Sequence, residues 1–162
     1  MNLKFTKMQA TGNDYIFANL FDAGDFKIFN ETNWSQMAIR LSDRHFGIGS
    51  DGLILICPSD VADCRMRMFN ADGSEGAMCG NGIRCLGKYI YERGLIKKRI
   101  ICVETKSGIR TLYLDIEDEI YVKSIRVDMG VPVLSSSLEI GSFFVTPVSM
   151  GNPHAVCFVP NS

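Results

Sequence analysis

Histidine is nearly missing from this 162-residue chain, which holds only His45 and His154, and no two of its cysteines have the C-x-x-C spacing. A zinc-type centre needs such ligands clustered, so the sequence supports no metal. An excess of either charge is missing too. Lys plus Arg is 17 and Asp plus Glu is 18, a net charge of -1, which argues against a basic nucleic-acid footprint or an electrostatic membrane anchor. No apolar run approaches the ~20 residues that span a bilayer. Residues 1–17 are polar and charged throughout, without a signal-type apolar core or a small-residue cleavage site. The expectation is a cytoplasmic protein with reduced thiols and with neither nucleic acid nor membrane as a partner.

What the chain does have is ordinary globular composition, 46% hydrophobic and 22% charged, with glycine (15) and cysteine (6) as the unusual counts. Its length suits one domain or two very small ones. Residues 3–9 alternate apolar and polar, then turn at Thr11-Gly12-Asn13-Asp14 into a second apolar run over 15–20, the pattern of a hairpin. Residues 32–42 place Trp34, Met37, Ala38 and Leu41 at helical spacing, with Thr32 or Asn33 as N-cap. Strands follow at 53–57 and 64–69, the latter with Met66 and Met68 on one face. In 70–85, NADGSEGAMCGNGIRC, a glycine-rich loop feeds a helix of about three turns that begins near Asn81 and stops at Gly94. Residues 99–104, 109–116 and 120–127 read as strands, and the acidic DIEDE stretch as a solvated turn. Beyond Val131 the texture changes: VPVLSSSLEIGS is loop-like, and FFVTPVSM and AVCFVP are apolar strands around a Gly-Asn-Pro-His turn. The fold class is α+β, largely antiparallel.

The strongest chemical signal is Cys79, which precedes Gly80-Asn81-Gly82 where the second helix begins. Unpaired N–H groups and the helix dipole favour negative charge there, so a thiolate is stabilised and a carboxylate could be cradled beside it. A lone cysteine is more often a small buried hydrophobe, and Cys57, Cys64, Cys85, Cys102 and Cys157 read that way. Asn70, Asp72, Ser74 and Glu75 crowd the loop before Cys79, either to shape turns or to bind a ligand. The glycines of residues 47–52 superficially match a dinucleotide fingerprint but lack the third spaced glycine and precede a strand.

TGNDYIF at 11–17, GIGSDGLI at 47–54, FNADGSEGAMCGNGIRC at 69–85 and SMGNPHAV at 149–156 stand in the order and spacing of diaminopimelate epimerases, which the chain resembles along its whole length. The resemblance implies two pseudo-symmetric domains, each a strand-rich layer wrapped around a central helix: 1–118 as the first, and 119–162 as the beginning of a truncated second. It implies epimerisation of LL- to meso-diaminopimelate, on the route to lysine and peptidoglycan, with no cofactor. The implied partner is that small-molecule substrate, with a homodimer as a candidate assembly. By position, Cys79 is similar to one of two catalytic cysteines, and Asn13, Asn70 and Asn152 to substrate-binding asparagines. Gly80 and Asn81 are similar to the loop whose amides hold the reacting end, and His154 to a supporting histidine. One version of the family has glutamine where Gly52 stands, so that side-chain contact is absent here.

The chemistry agrees with the resemblance. Inverting an α-carbon through a planar intermediate needs a base on one face and an acid on the other, roles a thiolate and a thiol can exchange. The family's second cysteine belongs to a glycine-rich block that these 162 residues do not contain, nor do they contain the strand with which the family's C-terminus closes the first domain. The expectation is that this chain alone is not an efficient epimerase. Another cofactor-independent racemase of the same fold, or a non-enzymatic fragment, are the alternatives.

Overall fold

The computed structural model describes residues 3–21, 32–150 and 153–160. They divide into two compact units, Met1–Asp128 and Met129–Ser162.

The first unit begins with the expected hairpin, β1 (Thr6–Ala10) and β2 (Asn13–Asn19). Thr11 and Gly12 both take positive φ, 53° and 83°, the twist that suits a two-residue hairpin turn. Helix α1 (Trp34–Ser42) follows, capped by Asn33, whose side chain accepts the Gln36 N–H at 3.1 Å. Then come β3 (Gly52–Cys57), β4 (Cys64–Asn70), the two-residue β5 (Glu75–Gly76) and helix α2 (Gly80–Glu92). Gly94, at φ 73°, closes α2 as expected, its N–H donating to Tyr91 O at 3.0 Å. β6 (Ile100–Thr105), β7 (Gly108–Glu117) and β8 (Tyr121–Val127) complete the unit. The strands form one sheet in the order β1-β2-β3-β4-β6-β7-β8, with β5 beside β4.

Most pairs are antiparallel, but β2–β3 and β4–β6 are parallel. Parallel neighbours need a long crossover, and each of these two spans a helix: α1 between β2 and β3, α2 between β4 and β6. The two helices take opposite faces of the sheet, which explains why β3 reads as an unbroken apolar run rather than an alternating one. Leu53, Leu55 and Cys57 pack with Trp34 and Ala38 of α1, while Ile54 and Ile56 pack with Ile83, Leu86 and Ile90 of α2. Burying each such aliphatic side chain stabilises by roughly 1.5–3 kcal/mol. Helix α2 sits against β1, β2, β7 and β8, and its glycines set how closely. A Cβ at Gly82 would stand 2.5 Å from Ile54 Cδ1, and one at Gly87 would stand 2.7 Å from Leu112 Cδ2. Edge strands β1 and β8 flank a cleft of about 440 Å³, lined by Met8, Ala10, Arg84, Lys88, Val122 and Ile125.

The division between units falls later than the 118/119 boundary expected from sequence. β8 belongs to the first unit because it pairs with β7, buries Val122, and has that residue's N–H accepted by Glu92 Oε1 at 3.0 Å. The acidic turn is also narrower than expected: β7 runs through Glu117, and Asp118 and Glu119 make the reversal at φ 51° and 57°.

The second unit is a small antiparallel sheet of β10 (Leu138–Ile140), β11 (Phe143–Ser149) and β12 (Pro153–Cys157), with β9 (Val133–Leu134) beside β11. The stretch expected to be a loop therefore contains two short strands. All their residues are exposed, so no burial alternation marked them.

Candidate active site

Within the first unit, strand register gathers three sequence-selected segments at one place. Tyr15 pairs with Gly52 across β2–β3, and Gly52 pairs with Asn70 across β3–β4, so the TGND turn, the SDG segment and the end of β4 are neighbours. A charge network joins the first two. The Asp14 N–H donates to Asp51 Oδ2 at 3.0 Å, and the Asp51 N–H donates to Asp14 O at 2.8 Å. Arg44 reaches both carboxylates, at 2.8 Å to Asp14 and 2.9 Å to Asp51, and Lys7 stands 3.0 Å from Asp14. The Arg44 guanidinium holds the Asp14 carboxyl well below the usual carboxylate range, with Lys7 adding to the effect against a smaller desolvation. Sequence reasoning missed this clamp, whose members lie 30 and 37 positions apart.

Asn70 is held by the turn after β4. Its Nδ2 donates to Ser74 Oγ at 2.9 Å, and Asp72 accepts both the Ser74 N–H, at 2.8 Å, and its hydroxyl, at 2.6 Å. Asp72 and Ser74 thus shape the turn and hold the Asn70 side chain in it. Glu75 instead pairs with Arg67 at 2.6 Å, which holds its carboxyl below its ordinary value.

Cys79 is the N-cap of α2. Its extended backbone (φ −131°, ψ 119°) turns the side chain back so that Sγ accepts the Gly82 N–H at 3.3 Å. Cys79 O takes the Ile83 N–H at 2.9 Å, and helix geometry leaves the Gly80 and Asn81 N–H groups without intrahelical acceptors. The Asn81 side-chain oxygen accepts from Arg84. Cys79 is a half-buried free thiol. Burial pushes the Cys57 and Cys64 thiols up to about 12 and raises Cys85 as well, so these three are packing cysteines, as expected. Cys102 and Cys157, expected in the core, are only half-buried.

Tyr15, which the sequence reading took as part of an apolar strand, lies next to this region. It is 5% exposed and belongs to the buried cluster against which Cys79 packs. Burial first, then the neighbouring Cys79, raises its ionisation well above the usual phenol range, so it stays a hydroxyl. The signal that could have found it is periodicity: Asn13 and Tyr15 share one face of β2. Asn13 Oδ1 is buried and, among the described residues, accepts no hydrogen bond. An unsatisfied buried acceptor costs about 1–3 kcal/mol, which marks the position as one held against stability.

His154 lies in the second unit on β12, exposed and in register with Val148. Asn152 lies outside the described residues. Among the described residues no His, Cys, Asp and Glu cluster could hold a metal, and no helix is long and apolar enough to cross a membrane.

Two solved structures share this backbone. A hydroxyproline epimerase from Agrobacterium vitis aligns with TM-score 0.65 at 14% identity, over 94% of this chain and 50% of that one. A probable proline racemase from Agrobacterium radiobacter aligns with TM-score 0.70 at 12% identity, over 95% and 51%. The fold is therefore the strand-rich half-barrel around a central helix found in that class of epimerases and racemases. Sequence narrows it further. The diaminopimelate epimerase family model matches residues 5–135. A diaminopimelate epimerase of Acetivibrio thermocellus is 49% identical over 98% of this chain, one of Bacteroides thetaiotaomicron 51% over 97%, and one of Methanococcus maripaludis 47% over 98%. The chain belongs to the diaminopimelate epimerase family. It spans 60%, 57% and 61% of those relatives, respectively.

Proposed function

We propose that this chain supplies one face of a diaminopimelate epimerase site, with Cys79 as one of its two acid/base groups. The observation that carries the reading is a thiol at a helix N-cap, among amides that a carboxylate can occupy. In one direction the Cys79 thiolate takes the α-proton: the Cα–H bond breaks, an S–H bond forms, and the electron pair delocalises into the substrate carboxylate. The Gly80 and Asn81 amides and the α2 dipole stabilise the charge that develops there. A second thiol on the opposite face returns a proton to the carbon. In the reverse direction Cys79 is the acid.

Asn13 and Asn70 suit the substrate because a zwitterionic amino-acid group needs donors and acceptors together, and an asparagine side chain provides both. By their positions in the sequence, Asn152 is read as a further substrate-binding residue and His154 as a supporting one. The reading places the chain in the cytoplasm, where all six thiols remain free, and makes a homodimer its candidate assembly.

Titrating LL-diaminopimelate against the 162-residue chain tests this, with backbone amides followed by NMR. The amides of Asn13, Asn70, Gly80 and Asn81 are expected to shift, while proline at equal concentration leaves them in place. No response to diaminopimelate overturns the reading. Incubation with the same substrate in deuterated water tests the single-thiol aspect. The chain is expected to incorporate α-deuterium far more slowly than the roughly 1–1000 per second common among enzymes, and turnover in that range would contradict it.

A further inference from the structure

One residue, Asp51, holds hydrogen bonds to the chain neighbours of both Asn13 and Asn70. On one side it grips Asp14, next to Asn13. Its Oδ2 accepts the Asp14 N–H at 3.0 Å, and its own N–H donates to Asp14 O at 2.8 Å and to Asp14 Oδ1 at 3.2 Å. On the other side its carbonyl accepts the N–H of Ala71, next to Asn70, at 3.1 Å. The segment carrying Asp51 is itself pinned to the end of α1. Ser50 is buried, its N–H donates to Ser42 O at 3.1 Å, and its hydroxyl lies 2.9 Å from Gly52 O and 3.1 Å from the Ser42 hydroxyl. Arg44 fixes the carboxylate: Nη2 donates to Asp51 Oδ1 at 2.9 Å, while Nη1 and Nη2 together hold Asp14, at 3.2 and 2.8 Å. Arg44 in turn stands in a reversal that Asp43 builds, by accepting the His45 and Phe46 N–H groups at 2.7 Å each.

We infer that Asp51 is a positioning residue: its carboxylate, held by Arg44, sets the Asn13 turn at a fixed spacing from Asn70, so that both amides meet one amino-acid group. The inference rests on the reading of Asn13 and Asn70 as substrate-binding residues. Sheet topology shows why such a fixture is needed. β2 and β4 are not neighbours; β3 stands between them, and its ladders to both begin at Gly52, opposite Tyr15 and Asn70. Asn13 therefore lies beyond the last rung, and Asp51, one residue ahead of β3, extends the connection to it. Asn13 has little hold of its own, since its Oδ1 accepts no hydrogen bond among the described residues. Exposed ion pairs add little to stability, and two adjacent carboxylates repel one another, so a gain in stability is a weak reason for this cluster. What it does supply is geometry: a guanidinium donating to two carboxylates at once fixes their separation and direction.

The test is the dissociation constant for LL-diaminopimelate of the 162-residue chain and of its Asp51→Ala and Asp51→Asn variants. It is read by NMR from the Gly80 and Asn81 amides, which lie on α2, outside the substituted segment. Fluorescence of buried Trp34 confirms that each variant is folded under the conditions of the titration. Asp51→Ala removes the bonds to the Asp14 N–H and to Arg44, and is expected to bind about tenfold more weakly. Asp51→Asn keeps an oxygen for the Asp14 N–H and is expected to recover most of that loss. A merely structural role would lower the urea midpoint and leave the affinity of the folded chain unchanged. Equal dissociation constants for parent and alanine variant, or an asparagine variant no better than alanine, overturn the inference while the reading of the site stands. A parent chain that shows no response to diaminopimelate overturns that reading, and the inference with it.

Discussion

Cysteine is a poor choice of helix N-cap, and that makes Cys79 informative about what the position is for. The cap bond here runs from the Gly82 N–H to a sulfur 3.3 Å away, and sulfur is a weak acceptor compared with the hydroxyl or carboxylate oxygens that N-caps favour. Cys79→Ser keeps an acceptor of similar reach and puts oxygen in the preferred role. Cys79→Ala removes the acceptor and leaves the Gly82 N–H unpaired at a half-buried helix end. Loss of an N-cap typically costs about 1 kcal/mol, so the serine variant should exceed the alanine variant by about that amount and match or exceed the parent. With a urea dependence of about 2 kcal/mol per molar, the two midpoints should stand about 0.5 M apart. Trp34 is the chain's only tryptophan, and at 4% exposure it reports the unfolding of the unit that contains Cys79. Equal midpoints for serine and alanine, or a serine variant clearly below the parent, would refute the claim that stability is sacrificed at this position for thiol chemistry.

Three further outcomes follow from the packing and the charges. Gly87→Ala gains about 1 kcal/mol of helix propensity but forces a methyl against Leu112 and Ile125, at 2.7 and 3.0 Å. Overpacking of that kind costs typically 1–3 kcal/mol, so the urea midpoint should fall, and a rise would contradict the close fit of α2 on the sheet. Gly52→Ala meets the Phe69 carbonyl at 2.2 Å, a backbone atom that cannot rotate aside, and should lose more, roughly 2 kcal/mol or above. Acid should weaken the fold through Asp14 and Glu75, both of whose folded ionisations lie below their unfolded ones, because of Arg44 and Arg67 respectively. A depressed carboxylate contributes stability above its unfolded value of about 4 and loses it as pH falls further, so the midpoint should drop from pH 5 to pH 2, less steeply in Asp14→Asn. A pH-independent midpoint over that range would contradict the ion-pair assignments.

Local signals in the sequence were enough for the elements that carry the site. Alternation over residues 3–20, the Asn33 cap and the Ile83, Leu86, Ile90 stripe each correspond to the observed strand pair, helix start and buried helix face. Cys79 was legible because glycines and a helix start flank it in the sequence itself. The parallel pairings were not, since nothing local distinguishes a strand that returns through a crossover from one that turns back on itself. The Arg44–Asp14–Asp51 clamp was hidden for the same reason, its members meeting only once β2 and β3 are side by side. Tyr15 was hidden by its own apolarity: within YIFANL it reads as one more core residue, and only the fold sets it in the buried cluster against which Cys79 packs.

Alkylation of Cys79 with and without LL-diaminopimelate tests the central claim most directly. Iodoacetamide at pH 7 should label Cys79 well before Cys85, Cys57 and Cys64, whose burial raises their thiols, and saturating diaminopimelate should slow that labelling while leaving half-buried Cys102 unaffected. A Cys79 that reacts no faster than Cys85, and at the same rate whether or not diaminopimelate is present, would contradict it.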